Sequence, residues 1–233
     1  MTLKKIIAIG DINDLFLYYL RIVNQYNKDE IIIYYLDKNH SLNANFYRMF
    51  LGMQNVKFQL LNLNREDFLE FNKNYEIILD DKNQNNDTIE IKNIEINLYT
   101  ATNIVQEFLN KRIPYIVIQL SEFIDHQSQI IWDADTLNYF KKIPNVAFVG
   151  KDNNFDHKNN FTYLNLIDQL HIIKNSKLFI GQSGIYSHYA GSLGKEQILY
   201  QPNKKLCFFN WQNLLNCTKT IEDFKTQIEK YVR

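Results

Sequence analysis

The sequence predicts an α/β protein made of two parallel-sheet halves, each doubly wound, with a helix closing the C-terminus. Three observations carry that expectation. Short runs rich in β-branched and aromatic residues alternate along the chain with stretches of helical spacing. These runs are apolar throughout, as strands covered on both faces are, and not alternately polar. A polar segment at residues 80–93, DDKNQNNDTIEIKN, interrupts the alternation, and the same pattern restarts beyond it. One continuous sheet in a single domain is the competing arrangement.

In chain order, residues 6–9 form a compact run ending in Gly10, and residues 15–26 follow with helical spacing. Strands are expected at 31–36 (IIIYYL), 56–61 and 75–79, with helices at 44–53 and 65–71 between them. Residues 100–110 read as a linking helix stopped by the nearby Pro114. Beyond it, strands are expected at 115–120 (YIVIQL), 146–149, 178–180 and 197–200, with a weaker one at 206–211. Helices are expected at 133–142, 164–174, 185–193 and 221–232. The first domain is placed at 1–110 and the second at 111–233.

Composition narrows the function. The 233 residues are 45% hydrophobic, enough for a real core and too much for a disordered chain. Lys plus Arg and Asp plus Glu both number 26, so the formal net charge is zero. That disfavours nucleic acid as a partner held mainly through its phosphates, although a local basic patch stays open. Two isolated cysteines, Cys207 and Cys217, read as buried thiols in a reducing compartment. The N-terminal apolar run is broken at Asp11, too early for a signal peptide or a transmembrane segment. A soluble, cytoplasmic protein is expected.

The chemistry concentrates in FIGQSGIYSHYAGSLG, residues 179–194, which hold four of the seven glycines and one of the five histidines. The stretch reads as strand, tight turn and helix. Gly181 ends the strand, Ser183 is the expected N-cap, and Gly184 lets a ligand approach the backbone. Ser187 and His188 fall one helical turn later, at i+4 from Ser183 and Gly184. Gly191 and Gly194 are read as small residues where the helix lies close to a sheet. A helix opening on such a turn points its N–H groups and positive dipole end outward, a natural place for phosphate. Packing glycines and a core histidine are the bland alternative.

The run IIKNSKLFIGQSGIYSHYAGSLGKEQILY resembles the C-terminal motif of the ADP-heptose:lipopolysaccharide heptosyltransferase family. Ser183, Gly184, His188, Ala190, Leu193 and Gly194 match its pattern. Weaker likeness covers Ser121 after the strand at 115–120, Trp132, NVAFVG at 145–150, and IIAIGDINDLFLYYL at the N-terminus. The resemblance implies two Rossmann-like domains in the GT-B arrangement. It also implies a nucleotide-diphosphate sugar as donor substrate, no cofactor or metal, and inverting transfer to a saccharide or other hydroxyl acceptor. The N-terminal domain would be the acceptor side and the C-terminal domain the donor side. Donor binding then falls to Ser121, Gly181, Gln182, Ser183, Gly184, Ser187 and His188. The catalytic base falls to Asp14, which opens the first helix, or failing that to Asp11. Two departures stand out: Gln182 replaces the family's aspartate, and Ile130 replaces its basic residue two places before the tryptophan.

No Asp-x-Asp motif sits at a strand end. DADT at 133–136 has the letters but reads as the first turn of a helix, where acids are common. His40, Asp37, Asp125, His126 and His157 read as loop residues. Other readings of the same pattern are a pyruvyl transferase, a glycosyltransferase acting on DNA bases, or a degenerate nucleotide-binding module without catalysis.

Overall fold

The apolar runs of the N-terminal half become four parallel strands: β1 (Leu3–Ile9), β2 (Glu30–Leu36), β3 (Val56–Leu60) and β4 (Ile77–Asp80). Their spatial order is β3-β2-β1-β4. β1 registers with β2 from Leu3↔Glu30 to Ile9↔Leu36, and with β4 from Ile6↔Ile77 to Ile9↔Asp80. The structure, a computed structural model, describes residues 3–9, 30–36, 56–60, 77–80, 101–121, 132–151, 154–202 and 215–232. The helices expected at 15–26, 44–53 and 65–71, and both candidate bases Asp11 and Asp14, lie outside the described residues.

The chain divides into two units, Met1–Asn97 and Leu98–Arg233. The second holds β5 (Ile116–Gln119), β6 (Val146–Val149), β7 (Leu178–Gly181), β8 (Glu196–Tyr200) and β9 (Leu215–Thr218), all parallel, in the order β6-β5-β7-β8-β9. Its described helices are α1 (Asn103–Asn110), α2 (Ala134–Lys141), α3 (Leu166–Asn175), α4 (Ile185–Ser192) and α5 (Ile221–Val232). α1 lies with this unit, because the Thr102 N–H at its start donates to the Asp168 carboxylate of α3 at 2.8 Å.

β6 and β7 are buried at every position, which is why the sequence shows unbroken apolar runs there. One face of the sheet carries Ile118, Phe148, Ile180 and Ile198 against Trp132, Phe140 of α2, and Phe224 and Ile228 of α5. Trp132 stacks on Phe224 at 5.4 Å with planes 12° apart, and meets Phe140 edge-on at 5.3 Å. Truncating Phe224 to alanine would cost about 3–5 kcal/mol here. The other face carries Val117, Gln119, Phe179 and Gln197 by the alternation of the strands, with α4 packed on β7 and β8.

The helix ends follow local chemistry. Asp133 caps α2 by accepting from the Thr136 N–H at 2.6 Å, so DADT is a helix start, as the sequence suggests. α4 ends in a Schellman motif: Gly194 donates to the Gly191 carbonyl at 2.9 Å and Lys195 to that of Ala190 at 3.0 Å. Gly194, at φ +69° and exposed, is therefore a helix stop and not a packing glycine.

β9 was not legible in the sequence, since Leu-Asn-Cys-Thr is only four residues long and carries no β-branched apolar residue. It exists through its pairing with β8, from Gln197↔Leu215 to Tyr200↔Thr218. Cys217, expected to be buried, is exposed on this strand; Cys207 and the strand expected at 206–211 lie outside the described residues. Among the described residues, no helix is long and apolar enough to cross a membrane.

Candidate functional site

The strand order creates the site. From β5 the chain goes to β6 on one side, then returns to β7 on the other side of β5 before continuing to β8 and β9. In a parallel sheet this reversal leaves a crevice at the carboxyl ends of the two strands flanking it, here β5 and β7. The segment after β5 brings Ser121 there, and the segment after β7 brings Gln182, Ser183 and Gly184.

These ends are pinned to one another with little slack. The Ser121 hydroxyl accepts from the Lys151 N–H at 2.9 Å and donates to the Lys151 carbonyl at 3.1 Å, joining the ends of β5 and β6. A Cβ at Gly150 would sit 2.7–2.8 Å from three Ser121 atoms, so a side chain there cannot coexist with this joint. On the other flank, the Gln182 N–H donates to Gln119 Oε1 at 3.0 Å. A Cβ at Gly181 would lie 2.5 Å from the same oxygen. Gly181 is thus a close-approach glycine that lets the Gln119 side chain reach the β7 turn. The Trp132 indole N–H in turn donates to the Gln119 carbonyl at 3.1 Å.

Beneath the turn lies a buried amide with all of its bonds made. Gln169 of α3 accepts from the Gly150 N–H at 2.7 Å and from the Tyr186 hydroxyl of α4 at 2.8 Å. Its Nε2 donates to the carbonyls of Gly150 at 2.9 Å and Leu164 at 2.8 Å. Two acceptor sites and two donors are all that a glutamine offers. Gln169 therefore fixes the start of α4 relative to the end of β6.

α4 begins differently from the expectation. The N-cap is Gly184, in extended backbone, and not Ser183. Ser187 takes over the capping: its hydroxyl accepts from the Gly184 N–H and donates to the Gly184 carbonyl, both at 2.9 Å. Glycine has no side chain to reciprocate, so one half of a capping box does the work. This leaves Ser183 half-buried at the turn.

Of the donor-binding residues expected from the sequence, the structure brings Ser121, Gly181, Gln182, Ser183 and Gly184 to one sheet edge. Ser187 and His188 lie one turn in and are buried, at 2% and 4% exposure. Burial pulls the His188 pKa down to about 3, so the imidazole is neutral at physiological pH and carries no cationic charge. Ile130 is outside the described residues. Sequence reasoning missed Gln119, Gly150, Gln169 and Tyr186. A signal existed: glutamines inside the apolar runs YIVIQL and LIDQL stand where buried side chains are expected, and buried glutamine is rare without partners.

Chemically, the edge offers a helix N-terminus whose first-turn amides, at Ile185 to Ser187, have no carbonyl four residues back within the helix, together with the Ser183 hydroxyl. Such an arrangement suits an anion without a charged side chain.

No protein-family model and no curated protein matches the sequence. Solved structures do match. A glycosyl transferase of family 9 from Veillonella parvula superimposes over 99% of this chain and 92% of its own, at TM-score 0.55 and 11% identity. The E. coli heptosyltransferase WaaC with ADP does so over 99% and 97%, at TM-score 0.51 and 9% identity. The same enzyme with ADP-2-deoxy-2-fluoro heptose gives 99% and 100%, at TM-score 0.52 and 11% identity. Over nearly its whole length, the chain is similar in fold to these glycosyltransferases.

Proposed function

We propose that this protein is a glycosyltransferase that moves a sugar from a nucleotide-diphosphate sugar to an acceptor hydroxyl. The observation carrying this reading is the β5/β7 switch point. There a glycine turn leads into the start of α4 at the crevice, on a fold shared with a heptosyltransferase solved with ADP. The C-terminal half takes the donor and the N-terminal half the acceptor, in a GT-B arrangement.

In the proposed reaction, the bond between the sugar and the diphosphate breaks while the acceptor oxygen bonds the anomeric carbon from the opposite face, inverting it. The acceptor proton goes to the Asp14 carboxylate, with Asp11 as the second choice. The departing negative charge is met by the first-turn amides of α4 and the Ser183 hydroxyl, while Ser121, its hydroxyl engaged with Lys151, shapes the opposite flank of the crevice. Ser187 and His188 act as positioning residues: one holds the Gly184 backbone and the other fills the space beneath the helix start. Gln182 contributes its backbone, locked onto Gln119, and no charge. With no Asp-x-Asp at a strand end, and Asp133 committed to a helix cap, the reaction is proposed to run without a metal.

Replacing the family's aspartate by Gln182 also favours a second reading, a module that holds the nucleotide without transfer. One experiment separates the two. A thermal-shift series with ADP, UDP, GDP, CDP and CMP should raise the melting temperature with one diphosphate. At a hundred times Kd, stabilisation is about 2.7 kcal/mol, several degrees for a domain of this size. His188→Ala should reduce that shift. Asp14→Ala should preserve it while abolishing transfer from the matching nucleotide-sugar. Binding without transfer in the wild-type protein selects the non-catalytic module, and no shift with any nucleotide defeats both readings.

A further inference from the structure

At the other edge of the second sheet, where the strands begin, lies a cavity of about 380 Å³. The C-terminus of α1 brings Lys111 to it, the C-terminus of α2 brings Lys141 and Lys142, and the segment after β6 brings Lys158 and His157. Its floor is apolar, with Phe108, Tyr115 and Ile143, and among the described residues no carboxylate lines it.

Lysines at helix C-termini are ordinary complements to the helix dipole. That accounts for Lys111, Lys141 and Lys142 but not for Lys158 and His157, which belong to no helix. The loop carrying them is held firmly. The Phe148 N–H donates to the Asn159 carbonyl at 3.0 Å, and Asn159 Nδ2 donates to the Val146 carbonyl at 2.8 Å. The His157 ring sits edge-on to Phe148 at 4.9 Å, and its Nδ1 accepts from the Asn159 N–H at 3.1 Å. That bond assigns the ring proton to Nε2. Burial first, then Lys158 and Lys141, lower the basicity of His157, while the exposed Asp156 opposes them least. Lys158 and Lys141 thus lie close enough to His157 to disfavour its charged form, and the neutral ring keeps an Nε2–H to donate beside them.

Backbone conformation marks the same place. Among the described residues, the two non-glycines at positive φ are Asn145 at +49°, which lines the cavity, and Arg112 at +52°, between the lining residues Lys111 and Ile113. Unfavourable backbone of this kind persists where the surroundings fix it and concentrates at binding sites.

We propose that this cavity is a second ligand site, separate from the β5/β7 crevice, which takes a small phosphoryl-bearing molecule. The phosphoryl group meets Lys142, Lys158 and the His157 Nε2–H at the rim, and the apolar part of the ligand rests on Phe108 and Tyr115. The volume is at the low end for ligand pockets, suited to a small metabolite and not to a polymer. A lipid phosphate would offer the same group, so the test separates the two sources.

The full chain is titrated with inorganic pyrophosphate by calorimetry and by amide NMR, beside the double variant Lys142→Glu/Lys158→Glu. Both lysines are exposed, so folding should be unaffected. A charge-matched control reverses Lys219 and Lys230, also exposed and away from the cavity. The expected result is amide shifts at 142–146 and 157–159 in the wild-type protein. Affinity there should fall at least about tenfold in the double variant and stay near wild type in the control. Equal affinity in all three proteins, or equal loss in both variants, overturns the proposal. So does binding to vesicles of phosphatidic acid in phosphatidylcholine without a response to pyrophosphate, which assigns the site to lipid. The ADP thermal shift serves as a separate readout: its presence in the double variant keeps the crevice reading intact whatever happens here.

Discussion

Gln169 and Gly150 hold each other by a reciprocal pair of hydrogen bonds, Gly150 N–H to Oε1 at 2.7 Å and Nε2 to the Gly150 carbonyl at 2.9 Å. Through the same amide, the end of β6 is tied to Tyr186 of α4, so the helix that opens on the β5/β7 crevice is fixed from below. The geometry of the turn at Gln182–Gly184 thus rests partly on a side chain that does not face the crevice.

Gln169→Leu should destabilise the protein by about 3 kcal/mol. The change removes, in a buried place, the hydrogen bonds that Gln169 makes with both backbone groups of Gly150, the Leu164 carbonyl and the Tyr186 hydroxyl. Urea unfolding of the variant measures this directly; a loss below about 1 kcal/mol would show that the network repairs itself.

Glycine positions should separate by cause. Gly150→Ala meets Ser121 backbone atoms at 2.7 and 2.8 Å and sits at φ +137°, so a loss of about 3 kcal/mol or more is expected. Gly194→Ala meets only the left-handed backbone of an exposed helix stop, at about 1–2 kcal/mol. The ratio of the two losses in chemical denaturation is the check, and equal values would contradict the structure.

The buried imidazole makes stability depend on pH. His188 is held near pKa 3 in the folded protein against an ordinary value of 6.5, so below 6.5 the unfolded chain takes up a proton that the folded one refuses. Its contribution is complete above about pH 6.5 and is lost as pH falls toward 3, by up to about 1.4 kcal/mol per unit. Unfolding free energies measured at about pH 7.5, 6.5 and 5.5 should fall more steeply for wild type than for His188→Gln. The smaller, same-signed effect of His157 is common to both proteins and cancels in the difference.

Gln197 of β8 offers the opposite case. It is fully buried, and neither amide atom has a hydrogen-bond partner among the described residues. Gln197→Leu should therefore be neutral or stabilising by about 1 kcal/mol, in contrast to Gln169→Leu. A clear loss in thermal or urea unfolding would mean that the Gln197 amide is engaged after all.

Much of the second unit was legible because β6 and β7 are buried at every position and α2 and α3 start with side-chain caps. VAFV at 146–149 is a strand as read, and DADT opens α2 as read, with Asp133 as its cap and not its first helical residue. The N-cap of α4 was misread, because a hydroxyl at N3 can serve the same amide as one at the cap position, and spacing alone does not say which does so. β9 escaped because its strand character comes from β8 and not from its own residues.

By itself, the sequence determined that this is a parallel α/β protein and that glycine, serine and histidine gather at one strand–turn–helix, since periodicity and composition are local properties. The tertiary structure alone decided that this turn lies at a switch point beside Ser121, that Ser187 and His188 face inward, and that Lys111, Lys142 and Lys158 share one cavity. Strand order and the meeting of distant segments are set by how buried faces pair across the fold, and no window of sequence contains both partners.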